Sequence, residues 1–424
     1  MRVLVVGNGA REHALCWALS RDASVERIYA APGNAGMAEI ATLEKISAAD
    51  IPGLVEFAER ESIDLTVVGP EAPLVAGLVD EMQARGLRAF GPTRDGARIE
   101  GSKAWARRLC DDHGIPGPRA GEFDAVDPAM AFVETLDAPF VVKVDGLAAG
   151  KGVTIAEDRA SAERALQDSL VRKVFGDSGA RVVVEEFLEG EEVTALGLTD
   201  GSAVIPLALA QDYKRALDGD RGPNTGGMGA YSPLPFVVPG ERKEQIEGVL
   251  RATVAAMASM GIEYRGVLYA GLMLTDRGAR VLEFNCRFGD PETQAILPRL
   301  TSNLTELLLA CVEGNLADCT AEWTAQACVA VVLASHGYPG DYPTGVPIEG
   351  LDRVRDRDGV QAFHAGTAVR DGRVVTSGGR VVTISALGEG LDDARRRAYE
   401  ACGLIEFEGK TLRGDVAQRI QGAA

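Results

Sequence analysis

Four apolar runs, each ending in a glycine-containing loop, alternate with helical stretches over the first hundred residues. The runs are RVLVVG, ERIYAAPG, DLTVVGPE and LRAFGPT, and the stretches between them include REHALCWALSR and IPGLVEFAERE. Strands that alternate with helices pair in parallel, because each helix carries the chain back across the sheet, and ligand loops then gather at the strands' carboxyl ends. Residues 1–100 are therefore predicted to form a parallel α/β domain, half of a Rossmann-like fold.

The first of these loops, GNGARE, lacks a dinucleotide signature. Glu12 stands where the third glycine of G-x-G-x-x-G is required, and no acidic residue ends the second strand, where AAPG is found. Exposed N–H groups at the start of the following helix can still bind a single phosphate, although a tight turn without ligand explains a lone glycine pair equally well. The loops APGNAG and GPEAPL favour a small phosphorylated substrate.

The chain after residue 100 changes to closely spaced strands. Ser102 is expected to cap a helix over 103–113, which the following glycine and proline end. Successive β-branched runs then predict an antiparallel α+β domain over 101–326, with one long helix at about 242–260. Short strands and one helix predict a small β-rich domain over 327–424.

The stretch VDGLAAGKGV (144–153) looks like a phosphate loop but does not match one. Only three residues separate Gly146 from Gly150, and Gly152 follows Lys151 where a P-loop has Ser or Thr. The flanking runs PFVVKV and GVTIAED are both strand-like. The stretch is therefore predicted to be a glycine-rich turn between two strands, and a Walker A loop is excluded.

Two lysines lie next to this turn. Alternation along PFVVKV places Lys143 on the opposite face from Val142 and Val144, so its ammonium can point into a cleft. Lys103 is in the first turn of the preceding helix. Solvated surface lysines are the general alternative, but the position beside the glycine-rich turn favours a site.

The stretch RVVVEEFLEGEE (181–192) is a buried strand that runs into carboxylates. A chain leaving such a strand can present backbone N–H and C=O groups to an adenine edge, and a later carboxylate can accept ribose hydroxyls. A solvated acidic turn is the alternative.

The stretch VLEFNCRFGDPE (281–292) is the most informative. Glu283 and Asn285 are two apart on a predicted strand and so share a face. Carboxylate and carboxamide oxygens suit Mg²⁺, which completes its shell with phosphates and water. Arg287 continues the face and can stabilise charge on a transferring phosphoryl group. A polar sheet edge explains each residue singly but not the set.

The stretch GPNTGGMGAYSP (222–233) is too glycine-rich for a packed element and is predicted to be a loop that lets backbone approach a ligand closely. QDYKR just before it supplies Asp212, Lys214 and Arg215. The four histidines (13, 113, 336 and 364) show no metal-ligand spacing and are interpreted as polar side chains of turns and edges.

Composition restricts the partners. The net charge of −18 argues against non-specific binding to nucleic acid or to an anionic membrane. Seven scattered cysteines without a C-x-x-C pair indicate reduced thiols, and neither a signal peptide nor a membrane span is recognisable. A cytoplasmic protein with small-molecule substrates is expected; the oligomeric state is not determined, with a monomer or weak dimer as the expectation.

Taken in order, the two lysines, the glycine-rich turn, EEFLEGEE and the Glu283/Asn285 pair resemble the ATP-grasp superfamily. GNGAREHA, APGNAG, VGPEAPL, EGSKAWA, KVDGLAAGKGV, GPNTGGMGAYSP and EFNCRFGDPETQ closely resemble the phosphoribosylamine–glycine ligase family within it, and GYPGDYPTG, FHAGT and SGGRVVTISALG extend the match to the last domain. The resemblance covers essentially the whole chain, and so many long motifs in one order are very specific.

This resemblance implies a reaction and a fold. The reaction is ATP-dependent ligation of glycine to 5-phosphoribosylamine through glycyl phosphate, which yields glycinamide ribonucleotide, ADP and phosphate in purine biosynthesis. The fold is a multidomain α/β and α+β protein whose central ATP-grasp domain carries a mobile lid at about 117–190. Residues 145–152 are implied to be a flap over the ATP phosphates.

The resemblance also implies residue roles. Glu283 and Asn285 would hold Mg²⁺ or Mn²⁺. The implied catalytic residues are Lys143, Asp212, Lys214 and Arg287. The implied ATP-binding residues are Lys103, Lys143, Gly146, Gly150, Lys151, Gly152, Glu185, Glu186, Leu188 and Glu192. The implied residues for glycine and phosphoribosylamine are Gly9, Asn34, Glu71, Asn224, Thr225, Gly226, Gly227, Arg287 and Asp290.

Two alternatives stay open at this point. One is another ATP-grasp carboxylate–amine ligase, or a carboxylase, that acts on a phosphoribosyl purine intermediate. The other is a nucleotide-binding regulator without activity, against which the retained Glu283, Asn285 and Arg287 argue.

Overall fold

The N-terminal part of the chain folds around a five-stranded parallel sheet. The fold is described from a computed structural model, which covers residues 1–147 and 152–418. The strand order is β3-β2-β1-β4-β5. The strands are β1 (Arg2–Gly7), β2 (Arg27–Pro32), β3 (Thr42–Leu43), β4 (Leu65–Val68) and β5 (Ala89–Phe90). The four predicted strands are confirmed, and the unpredicted β3 is too short to show a pattern.

Helices cover both faces of this sheet. They are α1 (Ala10–Leu19), α2 (Ile51–Arg60), α3 (Glu71–Ala76), α4 (Leu78–Ala84) and α5 (Arg94–Gly101). Alternate residues of β1 pack into different cores, with Leu4 and Val6 in the cluster that contains α2 residues and Val3 and Val5 in the cluster that contains α1 residues. A strand buried on both faces is typical of parallel sheets, which confirms the predicted fold class of this part.

The next elements form a small antiparallel sheet, the β6–β9 sheet, with order β6-β9-β7-β8. In chain order they are α6 (Lys103–His113), β6 (Ala120–Phe123), α7 (Val126–Val133), β7 (Phe140–Val144), β8 (Val153–Ala156), α8 (Arg159–Leu166) and β9 (Val182–Glu186). The predicted cap of α6 is confirmed, since the Ser102 side chain accepts a hydrogen bond from the Trp105 N–H at 3.1 Å. Val142 and Val184 pack under α7 and α8 on one face. The opposite face therefore carries Lys143 and Glu185.

The core sheet has the order β11-β10-β16-β17 and is antiparallel. The elements from its first strand to its last are β10 (Glu191–Asp200), β11 (Val204–Pro206), β12 (Gln211–Asp212), β13 (Arg215–Leu217), β14 (Arg221–Asn224), β15 (Gly229–Ser232), α9 (Glu241–Ser259), β16 (Arg265–Thr275) and β17 (Gly278–Asn285). The loop prediction for 222–233 was therefore wrong at its two ends. The first end pairs with nearby β13 in a hairpin. The second end pairs with β12 and with a strand of the last sheet that lies about a hundred residues further along the chain, too far to show in the local sequence.

The last sheet, the C-terminal sheet, has the order β12-β15-β18-β22-β19. The elements of this part are α10 (Glu292–Ile296), α11 (Leu304–Glu313), β18 (Ala327–Ala334), α12 (Leu351–Arg355), β19 (Val360–His364), β20 (Thr367–Arg370), β21 (Arg373–Thr376), β22 (Arg380–Gly388) and α13 (Leu391–Cys402). Because β12 and β15 belong to this sheet, it fixes both ends of the segment that carries Asp212, Lys214 and the glycine-rich stretch.

Of the four histidines, His13 was misinterpreted as a side chain of a turn or edge, whereas His364 does lie on an edge strand, β19. His13 lies in α1 and His364 ends β19, and both are buried. The His13 Nδ1 accepts a hydrogen bond from the His364 backbone N–H at 2.8 Å. Burial lowers the pKa of His13 to about 3 and that of His364 to about 4. Both are therefore neutral near pH 7 and join the N-terminal part to the C-terminal sheet.

The state of the cysteines agrees with the reduced thiols that the sequence indicated. All seven are free thiols, and six of them are buried. Over the part of the chain that the structure describes, no helix has the length and apolar character needed to cross a membrane.

Arg413 is the largest side chain buried without any exposure, and it fixes the β13–β14 hairpin. Its guanidinium lies 2.8 Å from Asp220 and 2.6 Å from Asp415, and it stacks 4.6 Å from the ring centroid of Tyr213. We expect Arg413→Met to lower Tm by about 5 °C or more, because two carboxylates lose a buried cation.

Arg396→Met is the matched control for thermal unfolding. Arg396 also pairs with two carboxylates, Asp393 at 2.6 Å and Glu400 at 2.7 Å, but its side chain is 59% exposed. Exposed ion pairs contribute little, so this control should leave Tm nearly unchanged. Equal Tm changes in the two variants would contradict the structural role of Arg413.

Candidate active site

A cleft of about 1630 Å³ lies between the polar face of the β6–β9 sheet and the core sheet. Its walls also include the segment from Gln211 to Gly226 and, from the C-terminal part, Tyr338 and Arg380. Its apolar lining residues include Val141, Ile155, Leu188, Met273 and Leu282. Lys103, Lys143 and Lys214 surround Glu283, and this part of the cleft is called the charged end. The cleft thus offers a ligand both apolar side chains and a group of cations.

Lys143 connects the two sheets at the charged end. Its Nζ lies 2.7 Å from the Glu185 carboxylate and donates to the Leu282 carbonyl at 2.8 Å. The pairing of β16 with β17 skips Leu282, and such a bulge leaves a carbonyl without a ladder partner. The Lys143 ammonium donates a hydrogen bond to this carbonyl. The prediction that Lys143 points into a cleft is confirmed by its place among the lining residues.

Lys103 approaches the same region from the first turn of α6. Its Nζ donates to the Gly146 carbonyl at 2.9 Å, where φ is +118° and a glycine is favoured. Burial lowers the pKa of the Lys103 ammonium, and nearby Lys143 lowers it further, while Glu283 opposes both. An anionic phosphate would relieve the repulsion between these two lysines.

Lys214 is surrounded by carboxylates. It forms a short ion pair with Glu192 and lies 3.5 Å from Glu283. Burial alone would lower the pKa of Lys214, but Glu192, Asp212 and Glu283 raise it well above its usual value. Lys214 is therefore a permanent cation in the cleft.

Asp212 carries a buried acceptor, its Oδ1, that makes no hydrogen bond within the described residues. Burial raises the pKa of Asp212 well above its usual value, and Glu292, Glu192 and Glu283 add to this effect against Lys214. A carboxylate with a raised pKa is a good proton acceptor.

Glu283 and Asn285 lie on the same face of β17, as predicted from their spacing, and both line the cleft. Burial would raise the pKa of Glu283, but Lys214, Lys143, Lys103 and Arg287 bring it below its usual value. Glu283 is therefore ionised at neutral pH. The Asn285 Oδ1 accepts one hydrogen bond, from Arg287 at 3.0 Å, and keeps a second lone pair.

These two oxygen donors fit a hard divalent cation. Among the residues with described positions, no cluster of three or more His, Cys, Asp or Glu side chains is arranged as a complete metal site. One carboxylate and one amide oxygen match Mg²⁺, which takes its other ligands from substrate phosphates and water. The donor set therefore suits a metal that enters with a nucleotide.

The Arg287 guanidinium forms ion pairs with two acidic side chains. Its guanidinium lies 3.0 Å from Glu100 and 3.4 Å from Glu71. Burial alone would lower the pKa of Arg287, but the two carboxylates raise it. Sequence reasoning missed Glu100, which also accepts the Cys286 N–H at 2.8 Å and so fixes the end of β17.

The turn after β1 is filled by the protein's own carboxylate. The Glu12 side chain accepts the Gly9 N–H at 2.6 Å and pairs with Arg11 at 2.5 Å. A Cβ on Gly69 would lie 2.1 Å from the Glu12 Oε1, so this loop glycine makes room for Glu12. Gly9 thus offers no free N–H at the turn where a phosphate was predicted.

Asn34 has an internal role as well. Its amide nitrogen donates to the Asn8 carbonyl at 2.9 Å and to the His364 carbonyl at 2.7 Å, and its oxygen accepts two backbone N–H groups. These bonds use the whole side chain to hold loops together. It does not line the cleft.

The structure brings most predicted site residues to one cleft. Those that line it are Glu71, Lys103, Lys143, Gly152, Glu185, Glu186, Leu188, Glu192, Asp212, Lys214, Asn224, Thr225, Gly226, Glu283, Asn285, Arg287 and Asp290. Those described but not lining it are Gly9, Asn34, Gly146 and Gly227. Gly150 and Lys151 lie outside the described residues. Lining residues that sequence reasoning missed include Arg11, Glu100, Gln211, Tyr269, Glu292, Tyr338 and Arg380.

Three family models match successive parts of the chain. The N domain of phosphoribosylglycinamide synthetase matches residues 1–100, its ATP-grasp (A) domain matches residues 101–293 and its C domain matches residues 328–419. The chain belongs to the phosphoribosylamine–glycine ligase family. The ligase therefore joins glycine to 5-phosphoribosylamine with ATP and forms glycinamide ribonucleotide in purine biosynthesis, as the sequence predicted.

Curated relatives agree over the full length. The ligase is 50% identical over 422 residues to phosphoribosylamine–glycine ligase of Allochromatium vinosum, which covers 99% of this chain and 98% of the relative. It is 48% identical over 423 residues to the enzyme of Escherichia coli strain K12, with the same coverage of 99% and 98%.

Solved structures confirm the fold. Phosphoribosylamine–glycine ligase of Thermotoga maritima superposes with a TM-score of 0.86 at 33% identity, covering 98% of this chain and 100% of that one. The biotin carboxylase domain of 2-oxoglutarate carboxylase from Hydrogenobacter thermophilus, solved with MgADP, ADP and bicarbonate, superposes with a TM-score of 0.75 at 16% identity. It covers 97% of the ligase and 91% of its own chain. At that identity the likeness concerns the fold alone.

Proposed function

We propose that the cleft activates glycine as glycyl phosphate and that its charged end is the site of phosphoryl transfer. The observation that supports this most is the convergence of Lys103, Lys143 and Lys214 with Glu283 and Asn285 in one cleft. A carboxylate is a poor electrophile and must be activated before an amine attacks it. Three ammonium groups beside an oxygen-donor pair are suited to a terminal phosphate.

The apolar part of the lining would hold the nucleotide base. Val141 and Ile155 of the β6–β9 sheet and Met273 and Leu282 of the core sheet all line the cleft, and the backbone from Glu186 to Leu188 would pair with the adenine edge. Glu192 would accept the ribose hydroxyls. Glu283 and Asn285 would hold Mg²⁺ or Mn²⁺, which neutralises phosphate charge when bound.

The chemistry would proceed in two transfers. First, a glycine carboxylate oxygen attacks the γ-phosphorus of ATP, and the bond to the β-phosphate oxygen breaks to release ADP. Next, the amine nitrogen of phosphoribosylamine attacks the glycyl carbonyl carbon, and phosphate leaves with the former carboxylate oxygen. The attacking amine loses a proton, which we assign to Asp212 because its Oδ1 is unpartnered among the described residues and its pKa is raised.

The parts of the chain would divide this work. Residues 1–100 and 327–424 would form the outer domains, and residues 101–326 the ATP-grasp domain. Residues 117–190 would act as a lid that closes over the phosphates and excludes water from glycyl phosphate. Glu71, Arg287, Asp290 and the segment 224–227 would hold glycine and phosphoribosylamine.

An ADP-release assay tests the proposed function. ADP should form only when glycine and phosphoribosylamine are both present with ATP and a divalent cation, and other amino acids should not replace glycine. ADP release that depends on bicarbonate instead would indicate a carboxylase. No dependence on any amino acid would favour a nucleotide-binding regulator.

A further inference from the structure

Two side chains of the C-terminal part form hydrogen bonds with both backbone polar groups of one residue, Gly226, in the glycine-rich segment. Arg380, the first residue of β22, forms a short hydrogen bond to the Gly226 carbonyl. The Tyr338 hydroxyl accepts the Gly226 N–H at 2.9 Å. Both backbone polar groups of a single cleft residue are therefore held from outside the ATP-grasp match, which ends at residue 293.

The same arginine also holds the neighbouring loop. Arg380 donates to the Asp290 carbonyl at 2.8 Å and lies 3.2 Å from the Asp290 carboxylate. The side chains of Arg380 and Asp290 are only 22% and 14% exposed. A planar guanidinium with several donors is suited to hold several fixed acceptors at once, which an ammonium cannot do. Arg380 thus sets the spacing between Gly226 and Asp290.

The Tyr338 ring packs closely against the backbone next to Arg380. A Cβ on Gly379 would lie 2.2 Å from the Tyr338 ring, so the ring rests on the backbone next to Arg380. A Cβ on Gly226 would in turn lie 3.1 Å from Arg380 Cζ and 3.3 Å from Tyr338 Oη. The two side chains and two glycines form a closely packed unit, in which a side chain at position 379 would collide with the Tyr338 ring and one at position 226 would be a tight fit.

Hydrogen bonds of Thr225 connect Gly226 to Lys214 at the charged end of the cleft. Thr225, next to Gly226, donates to the Lys214 carbonyl through its N–H at 2.8 Å and through its hydroxyl at 2.9 Å. A shift of Gly226 would therefore move the backbone of Lys214. Displacements of about 1 Å are enough to lower turnover by up to about a hundredfold when reactants must be aligned.

We propose that Arg380 and Tyr338 are positioning residues for the acceptor half of the ligation. They hold segment 224–227 and Asp290 at the spacing that glycine and phosphoribosylamine require, so the C-terminal part completes the active site. This inference rests on the proposed assignment of those residues to glycine and phosphoribosylamine. Under the proposed function the nucleotide base is bound by residues other than this pair, so the KM for ATP is expected to change less than the values for glycine and phosphoribosylamine.

Steady-state kinetics of the full-length enzyme test this. Arg380→Ala is expected to lower kcat/KM for glycine and phosphoribosylamine by about 30-fold or more, with the KM for ATP changed by less than about threefold. The matched control is Arg397→Ala. Arg397 also donates to two backbone carbonyls, of Leu387 and Asp358, but does not line the cleft. It should leave all three values near those of the wild type.

A second pair removes one hydroxyl at a time. Tyr338→Phe loses the acceptor for the Gly226 N–H and should lower kcat/KM for the same two substrates by about three- to tenfold. Tyr342→Phe is the matched control for Tyr338→Phe. The hydroxyl that it removes makes no hydrogen bond to any described residue, and the Tyr342 ring lies 6.3 Å from the Tyr338 ring. Arg380→Lys should fall between the wild type and Arg380→Ala.

Three results would overturn the inference. They are an Arg380→Ala effect no larger than that of Arg397→Ala, an equal loss for ATP and the other substrates, and a loss that only follows a lowered Tm. These outcomes are separate from failure of the proposed function, which would appear as wild-type enzyme without ADP release dependent on glycine and phosphoribosylamine.

Discussion

Glu283→Gln is expected to lower turnover at limiting Mg²⁺ by about a hundredfold or more and to leave Tm almost unchanged. The variant replaces an ionised oxygen ligand by a neutral amide of the same size. The Glu283 carboxylate has one ion-pair contact among the described residues, at 3.5 Å from Lys214, and its side chain is 33% exposed. Its removal therefore costs the fold little while it weakens the metal and misplaces the γ-phosphate.

Glu263→Gln is the matched control for this variant. Glu263 lies two residues before the start of β16 and pairs with Arg265 at 2.6 Å, but it is 66% exposed and lies outside the cleft. Turnover and its Mg²⁺ dependence should match the wild type. If Glu283→Gln keeps near-normal turnover at limiting Mg²⁺, the assignment of the metal to Glu283 is wrong.

Lys214→Met is expected to reduce turnover by about a hundredfold and to move the acid limb of its pH profile upward. Lys214 is the foremost of the cations that hold the pKa of Glu283 below its usual value against burial. As pH falls through that pKa, the metal ligand is protonated and activity is lost. Without Lys214 the pKa of Glu283 rises, so this loss begins at higher pH than in the wild type.

Lys214→Arg separates charge from shape in this experiment. It keeps the cation beside Glu192 and Glu283 but changes the position of the donors. Its acid limb should stay where the wild type has it, whatever happens to its maximal rate. An unshifted acid limb in Lys214→Met would show that Glu283 is not the group whose protonation stops the reaction.

The sequence predicted the features that depend on local spacing. Alternation placed Lys143 on the polar face of β7, and a spacing of two placed Glu283 and Asn285 together on β17. The cap at Ser102 and the parallel N-terminal sheet follow from the same local rules. The family resemblance added the reaction, which no spacing in the chain specifies.

The features that the sequence did not predict depend on long-range contacts. Tyr338 and Arg380 reach Gly226 from 112 and 154 residues away. Asn34 was expected at the substrate, yet it bonds the carbonyl of His364 across 330 residues. A polar side chain near a glycine loop looks the same in sequence whether it binds a ligand or another loop.

Loop glycines were ambiguous for a related reason. For the turn after β1, a bound phosphate and a tight turn without ligand were both left open, and the loop after β4 favoured a small phosphorylated substrate. In the structure, Gly9 and Gly69 pack against Glu12, whose carboxylate would collide with a Cβ at either position. Close approach was the correct physical reason for glycine, but the approaching group belongs to the protein itself.

Transfer of heavy oxygen from glycine tests the central claim most directly. If the ligase forms glycyl phosphate, the amine displaces phosphate that carries one former carboxylate oxygen. Glycine labelled with ¹⁸O in its carboxylate should therefore give inorganic phosphate with one labelled oxygen per turnover, together with ADP. Unlabelled phosphate, or label in AMP with release of pyrophosphate, would contradict the acyl-phosphate route.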